Sequence, residues 1–197
     1  MGQFGFINKP KQPVAVLDGF ARLLERRPDA LLLVVGENQV GVGLNHMLAM
    51  RDLTEHVRFT GYVDTELFHL YLKAVDAVVN LRYPSAGEAS GTFTRALAEG
   101  RASIVSNLDS FAETPADVCL KVEVDGDQAE EVGRGLIRLA EDPAFRSKLE
   151  GRAREYARTV LDPRRCAEEY LEVARATAEG AVAAMAGAGP RAPRRGP

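Results

Sequence analysis

The chain has few of the residues from which metal centres and disulfide frameworks are built. Its 197 residues include two cysteines and three histidines. Cys119 and Cys166 lie far apart and in no metal-ligand spacing, so they read as buried thiols in a reducing compartment. His46, His56 and His69 are scattered, none in an H-E-x-x-H pattern, which gives a zinc site little support. No apolar run is long enough to span a bilayer, and residues 1–12 lack the apolar segment of a signal peptide. No strand candidate is followed by G-x-G-x-x-G, and no acidic cluster follows the first one, which disfavours a generic Rossmann or receiver-like protein. A formal net charge of -3 provides no basic excess for nucleic acid. The expectation is a cytoplasmic protein with no nucleic-acid partner and no transmembrane segment. What is present is ordinary globular material, 46% hydrophobic and 27% charged, enough for one good-sized domain with its own core.

Periodicity predicts strands and helices in alternation. Strand candidates are 3–7, 30–36, 56–61, 75–81, 102–107 and 118–124; helical spacing falls at 13–27, 43–51, 64–74 and 89–99. Asp64 is an N-cap candidate for the third of these helices. Three helical stretches, 127–141, 143–159 and 163–179, close the domain. The run "ALLLVVG" at 30–36 is continuously apolar, as expected of a parallel strand covered on both faces. Right-handed crossovers then give an α/β fold: a Rossmann-like three-layer domain, residues 1–179, with a parallel sheet flanked by helices. Its ligand should meet the loops after 36, 61, 81 and 107, at the carboxyl ends of the strands. From 180 onward the composition is Ala, Gly, Pro and Arg without apolar period, and a disordered tail is expected. The tail's arginines allow peripheral contact with an acidic membrane surface, against the commoner reading of a solvated tail.

The stretch "LRYPSAGEASGTFTRALAEG", residues 81–100, carries the chemistry. A helix beginning near Ala89 offers unpaired backbone N–H groups and the positive end of its dipole. Ser85, Ala86, Gly87, Ser90 and Gly91 are small enough to let phosphates approach that backbone, and Ser90 and Thr92 add hydroxyl donors. Glu88 would repel phosphate, so it suits neutral hydroxyl groups of a sugar or ribose. Arg95, seven residues further on, can pair with Glu88 or reach a phosphate. The plainer alternative has Glu88 capping the helix and Arg95 in a surface ion pair.

Here the residues resemble a family. "FGFINKPKQPVAVLDGFARLLERRPDALLLVVGE", "VRFTGYVD", "LRYPSAGEASGTFTRALAEGRASIVSN", "FAE" and "AEDPAFRSKLEGRAREYA" are similar, in order and spacing, to the C-terminal, donor-binding half of GT-B fold retaining glycosyltransferases, family four (glycosyl transferases group 1). The resemblance covers roughly residues 3–178. It implies a Rossmann-like half of a GT-B fold and hexosyl transfer from a UDP- or GDP-sugar with retention. It implies no cofactor and no obligatory metal, because helix dipoles and basic side chains hold the diphosphate. Carried over, Lys11 falls on the phosphate-binding lysine and Glu88 on the glutamate facing the donor sugar. Gly91 falls on the glycine after it, Gly36 ends the second strand, and Tyr62 and Val63 fall in the loop near the base. Glu88 is thus the candidate catalytic residue. Lys11, Gly36, Tyr62, Val63, Arg82, Ser90, Gly91, Thr92 and Arg95 are the candidate donor-binding residues.

The chain also departs from the family pattern. Arg95 falls near the family's second glutamate, which holds the ribose, and Phe6 replaces a usual phosphate cation. The spacing to Gly100 is one residue shorter than the common pattern, and Ala102 replaces a proline. Arg95 or Arg82 is the candidate replacement cation. Glu113 falls on a glutamate that holds a loop or faces the donor, whereas Glu37 and Asn38 read as a plain turn and His69 as a partly buried helix residue. The resemblance begins at the first strand and leaves no room for an acceptor domain. A fragment, or half of an enzyme completed by a separate polypeptide, is expected; alone it should bind a nucleotide sugar weakly and transfer poorly. The alternative is a non-catalytic nucleotide- or partner-binding module derived from the family.

Overall fold

Apolar runs with side chains pointing alternately to two faces become strands covered by helices on both sides. In the computed structural model, which describes residues 1–187, six strands form one parallel sheet in the order β3-β2-β1-β4-β5-β6. They are β1 (Gly2–Phe4), β2 (Leu32–Val35), β3 (Val57–Gly61), β4 (Ala77–Asn80), β5 (Ala102–Ser106) and β6 (Leu120–Val122). The helices are α1 (Pro13–Arg26), α2 (Val42–Ala49), α3 (Thr65–Ala74), α4 (Gly91–Ala98), α5 (Asp109–Ala112), α6 (Gln128–Glu141), α7 (Pro143–Thr159) and α8 (Pro163–Gly187). The order reverses between β1 and β4, which pair through Gly2 and Val78. That reversal opens a crevice beyond the carboxyl ends of these two strands, the place where doubly wound sheets take ligands.

The two faces are distinct cores. Leu32 and Val34 of β2, Ala77 and Val79 of β4 and Ile104 of β5 join Val16, Leu17 and Phe20 of α1 and Val132 and Leu136 of α6. The intervening residues Val35 and Val78 join Phe4, Leu72, Val75 and Ala96 on the α3–α4 side. Alternation of period two, apolar on both sides, is what makes "ALLLVVG" continuous. Helices α1 and α6 meet through glycines: a Cβ on Gly19 would lie 2.6 Å from Val132 Cγ1, and one on Gly133 3.2 Å from the Gly19 carbonyl oxygen.

Helix starts follow local chemistry. Asp64 and Asp127 accept from the Leu67 and Glu130 amides at 2.8 and 3.0 Å, capping α3 and α6. Asp142 accepts from Phe145 N at 2.9 Å with Pro143 opening α7. The first strand is shorter than 3–7 because Gly5 turns away with φ 81; Ile7 rejoins only as an isolated bridge to Asn38. Four residues after β5 form α5, too short to show a period in the sequence.

One compact unit spans Met1–Arg158, and Thr159 begins a second. The second unit holds α8, with Arg164 N bonded to Asp162 Oδ1 at 2.9 Å and an Arg165–Glu169 ion pair at 2.8 Å. The helix continues to Gly187, so the expected disordered tail does not begin at 180: alanine needs no apolar period to stay helical. The rest of that tail, 188–197, lies outside the described residues. Cys119 is buried, which raises its thiol to about 11, whereas Cys166, also expected buried, is half-exposed on α8.

Candidate functional site

Two loops meet at the crevice. After β1, Gly5 is followed by a 3-10 turn at Lys9–Lys11 that folds Lys11 back under the strand end. Its ammonium donates to the Phe4 carbonyl oxygen, and the residue is 4% exposed. A Cβ on Gly5 would lie 2.8 Å from Lys11 Nζ and 3.4 Å from Thr92 Oγ1, so the missing side chain leaves a gap between a cation and a hydroxyl. After β4, the Arg82 amide donates to Ser106 Oγ at 2.9 Å. Tyr83 N donates to Pro10 O at 2.7 Å, and Gln12 Nε2 donates to the Tyr83 carbonyl oxygen. These bonds tie the lysine loop to the arginine loop. Burial, and after it the nearby Arg82 charge, lowers Lys11 from 10.5 to about 8.

Helix α4 begins at Gly91, two residues later than the pattern predicts. Ser90 is its N-cap, accepting from Phe93 N at 3.3 Å, and buried Asn80 donates to the same oxygen at 2.9 Å. The Ser90 cap is thus aimed by the last residue of β4. Glu88 is not the cap. Its Oε2 accepts from Ala86 N at 2.9 Å, and its Oε1 lies 3.4 Å from Arg82 Nε. Backbone N–H groups of its own loop, then Arg82, hold its carboxyl below the ordinary value. Ser110 Oγ donates to the Glu88 carbonyl oxygen at 3.1 Å, bracing this loop from α5.

Lys11, Arg82, Glu88, Ser90, Gly91 and Thr92 therefore share the crevice. Arg95 does not pair with Glu88. Its guanidinium donates to Gly91 O at 3.2 Å and lies 6.0 Å from the Phe68 ring centroid. Val63 packs into the α3–α4 core while Tyr62 is 77% exposed at the rim, so only the tyrosine of that pair is presented. Gly36 has φ 137, and a Cβ there would collide with the Gly5 carbonyl oxygen. Its glycine is required by the close approach of β1 and β2. Asn38 accepts from Val40 N and Gly41 N at 2.9 and 3.2 Å, which is a turn. Glu113 is exposed at the end of α5. His69 Nδ1 lies 3.0 Å from Glu99 Oε1, linking α3 to α4.

Asn80, Ser106 and Ser110 were not predicted. Each is a small polar residue whose partner is far along the chain, so no spacing betrays it. Among the described residues no group of three or more His, Cys, Asp or Glu could hold a metal ion, and no helix is long and apolar enough to cross a membrane. A cavity of about 620 Å³ lies at the opposite, amino end of the strands, lined by Met1, Leu31 and Ala77. Its charges are largely matched, Arg27 with Asp29 at 3.1 Å and Arg146 with Asp76 at 3.8 Å.

Sheet order and covering helices define an α/β domain of the doubly wound class. The sequence profile of the family described as glycosyl transferases group 1 matches residues 3–159, and the chain belongs to that family. It is 31% identical over 153 residues to a phosphatidyl-myo-inositol mannosyltransferase of Mycolicibacterium smegmatis, covering 77% of this chain and 38% of that protein. An uncharacterized glycosyltransferase of Methanocaldococcus jannaschii is 26% identical over 145 residues, 73% of this chain and 36% of that one. The chain thus spans little more than a third of these relatives. The fold matches the C-terminal domain of a group 1 family protein, LpcC, from Francisella tularensis, with TM-score 0.72 and 20% identity over 82% of this chain and 85% of that one. It also matches Anabaena HepE in complex with UDP-glucose, with TM-score 0.78 and 15% identity over 89% of this chain and 48% of that one.

Proposed function

We propose that this chain is the nucleotide-sugar half of a retaining glycosyltransferase and takes a UDP- or GDP-sugar at the β1–β4 crevice. The observation that carries the reading is a pair of neighbouring cations, buried Lys11 and Arg82, with Lys11 and the Thr92 hydroxyl meeting beside Gly5. Burying a lysine next to a second cation costs stability unless an anion joins them. The diphosphate rests there, with the Gly91 and Thr92 amides and the Ser90 and Thr92 hydroxyls at the start of α4. Tyr62 flanks the base. Glu88 accepts hydrogen bonds from donor-sugar hydroxyls. In the transfer, the bond from the anomeric carbon to the diphosphate breaks as the acceptor oxygen bonds to the same face, and the acceptor proton passes to the leaving phosphate oxygen. Lys11 and Arg82 stabilise the charge that develops on that phosphate. The acceptor, and the residues that orient it, belong to a second domain or a separate polypeptide, consistent with relatives more than twice as long.

A thermal-shift and calorimetric screen against UDP, GDP, ADP and several of their sugars, without added metal, tests the reading. A selective response that Lys11→Ala abolishes is expected. A flat response from folded protein would overturn it. Arg95, standing in the place of the ribose-holding glutamate and engaged with Gly91 O and Phe68, favours a second reading, a binding module without catalysis. Transfer activity restored by a partner chain separates the two.

A further inference from the structure

Arg82 is the least settled group in the crevice. Its side chain is 18% exposed, and among the described residues no atom accepts a hydrogen bond from Nε, although Glu88 Oε1 lies 3.4 Å away. A buried guanidinium N–H beside a carboxylate, yet out of hydrogen-bond geometry with it, is held by charge alone. Glu88 meanwhile is 44% exposed and turned into its own loop by Ala86 N. Lys11 is near enough to Arg82 for the two charges to repel. The backbone of Arg82 is fixed by Ser106, so the side chain can exchange partners without moving the strand end.

We propose that Arg82 is shared between Glu88 and the donor's diphosphate, so that Glu88 works against binding of a nucleotide diphosphate that carries no sugar. The inference rests on the function proposed above. A diphosphate entering beside Lys11 draws Arg82 toward itself. Glu88 then loses its cation and faces a second anion across a few ångströms. A sugar on the diphosphate removes that conflict, because its hydroxyls donate to Glu88 and separate it from the phosphates. The same carboxylate therefore weakens the product-like nucleotide and favours the intact donor. Arg82 is the positioning residue through which the diphosphate and sugar sites communicate.

The test is calorimetric titration of wild type, E88Q, R82Q and the double variant with inorganic pyrophosphate, with UDP and with UDP-glucose, repeated with GDP and GDP-mannose. Glutamine keeps the shape of Glu88 and removes its charge. E88Q should bind pyrophosphate and the preferred nucleotide on the order of fivefold more tightly than wild type while losing its preference for the nucleotide sugar. In the R82Q background the E88Q gain should shrink to less than half, because the two residues act as a pair. Binding to wild type and E88Q with equal affinity would overturn the sharing and leave the donor site standing. Absence of binding to all four proteins would take down the functional reading and this inference together. A structural role alone would move stability and leave the ratio of nucleotide to nucleotide-sugar affinity unchanged.

Discussion

Replacing Lys11 with methionine should make the protein at least as stable and deprive it of its ligand. Methionine keeps the length of the stem and its packing against the end of β1. The lysine is held at about 8 against an ordinary 10.5, a difference that corresponds to roughly 3 kcal/mol against the charged form in the fold. It remains protonated at pH 7, so the folded protein bears nearly all of that cost there. Against it stands the hydrogen bond to the Phe4 carbonyl oxygen, about 1.5–3 kcal/mol for a charged donor. The net change runs from about zero to 1.5 kcal/mol in favour of Lys11→Met. For a unit of this size each 1 kcal/mol moves the melting temperature by about 2–4 °C. The assay is urea unfolding with and without the nucleotide that responds in the screen. At about a hundred times Kd the wild type should gain about 2.7 kcal/mol and the variant nothing. A loss of more than about 1 kcal/mol in Lys11→Met, with the far-ultraviolet circular dichroism unchanged, would refute the reasoning. Lys11 would then be a strut for Phe4 and not a cation waiting for an anion.

Further predictions rest on the same geometry. Because the folded pKa of Lys11 lies below its unfolded value, the unfolded chain holds more protons between about 8 and 10.5. Wild type should therefore gain stability relative to Lys11→Met as pH rises through that window, by urea unfolding at pH 7 and 10, while nucleotide affinity falls above pH 8. Ser90→Ala removes the cap of α4 and leaves buried Asn80 without its acceptor; a loss of about 1–3 kcal/mol is expected by chemical denaturation. Gly36→Ala combines φ 137 with a collision against the Gly5 backbone, so a loss of about 3 kcal/mol or more, together with weakened nucleotide binding, should appear in the same experiments.

Much of this was legible because it is local. Continuous apolar runs between amphipathic segments imply a covered parallel sheet, and the register of β1, β2 and β4 bears that out. Asp64 reads as a cap because its partner is three residues away. The family pattern named Lys11 and Glu88 as site residues; in the fold Lys11 holds the Phe4 carbonyl oxygen and Glu88 lies beside Arg82. What stayed hidden depends on contacts distant in sequence. Spacing left Arg95 either to pair with Glu88 or to reach a phosphate; the helix starts only at Gly91, and Glu88 meets Arg82 across the loop. The braces Pro10–Tyr83 and Gln12–Tyr83 join segments about seventy residues apart, which no periodicity encodes. The extension of α8 to Gly187 was missed because an alanine-rich stretch has helix propensity without an apolar stripe.

The most direct test of the central claim is to map the responding nucleotide onto the backbone by amide chemical-shift changes in isotopically labelled protein. Shifts should concentrate at Gly5, Lys11, Gly91 and Thr92, at the carboxyl ends of β1 and β4. Shifts confined instead to Leu31, Asp76 and Ala77, around the cavity at the opposite end of the sheet, would contradict the account.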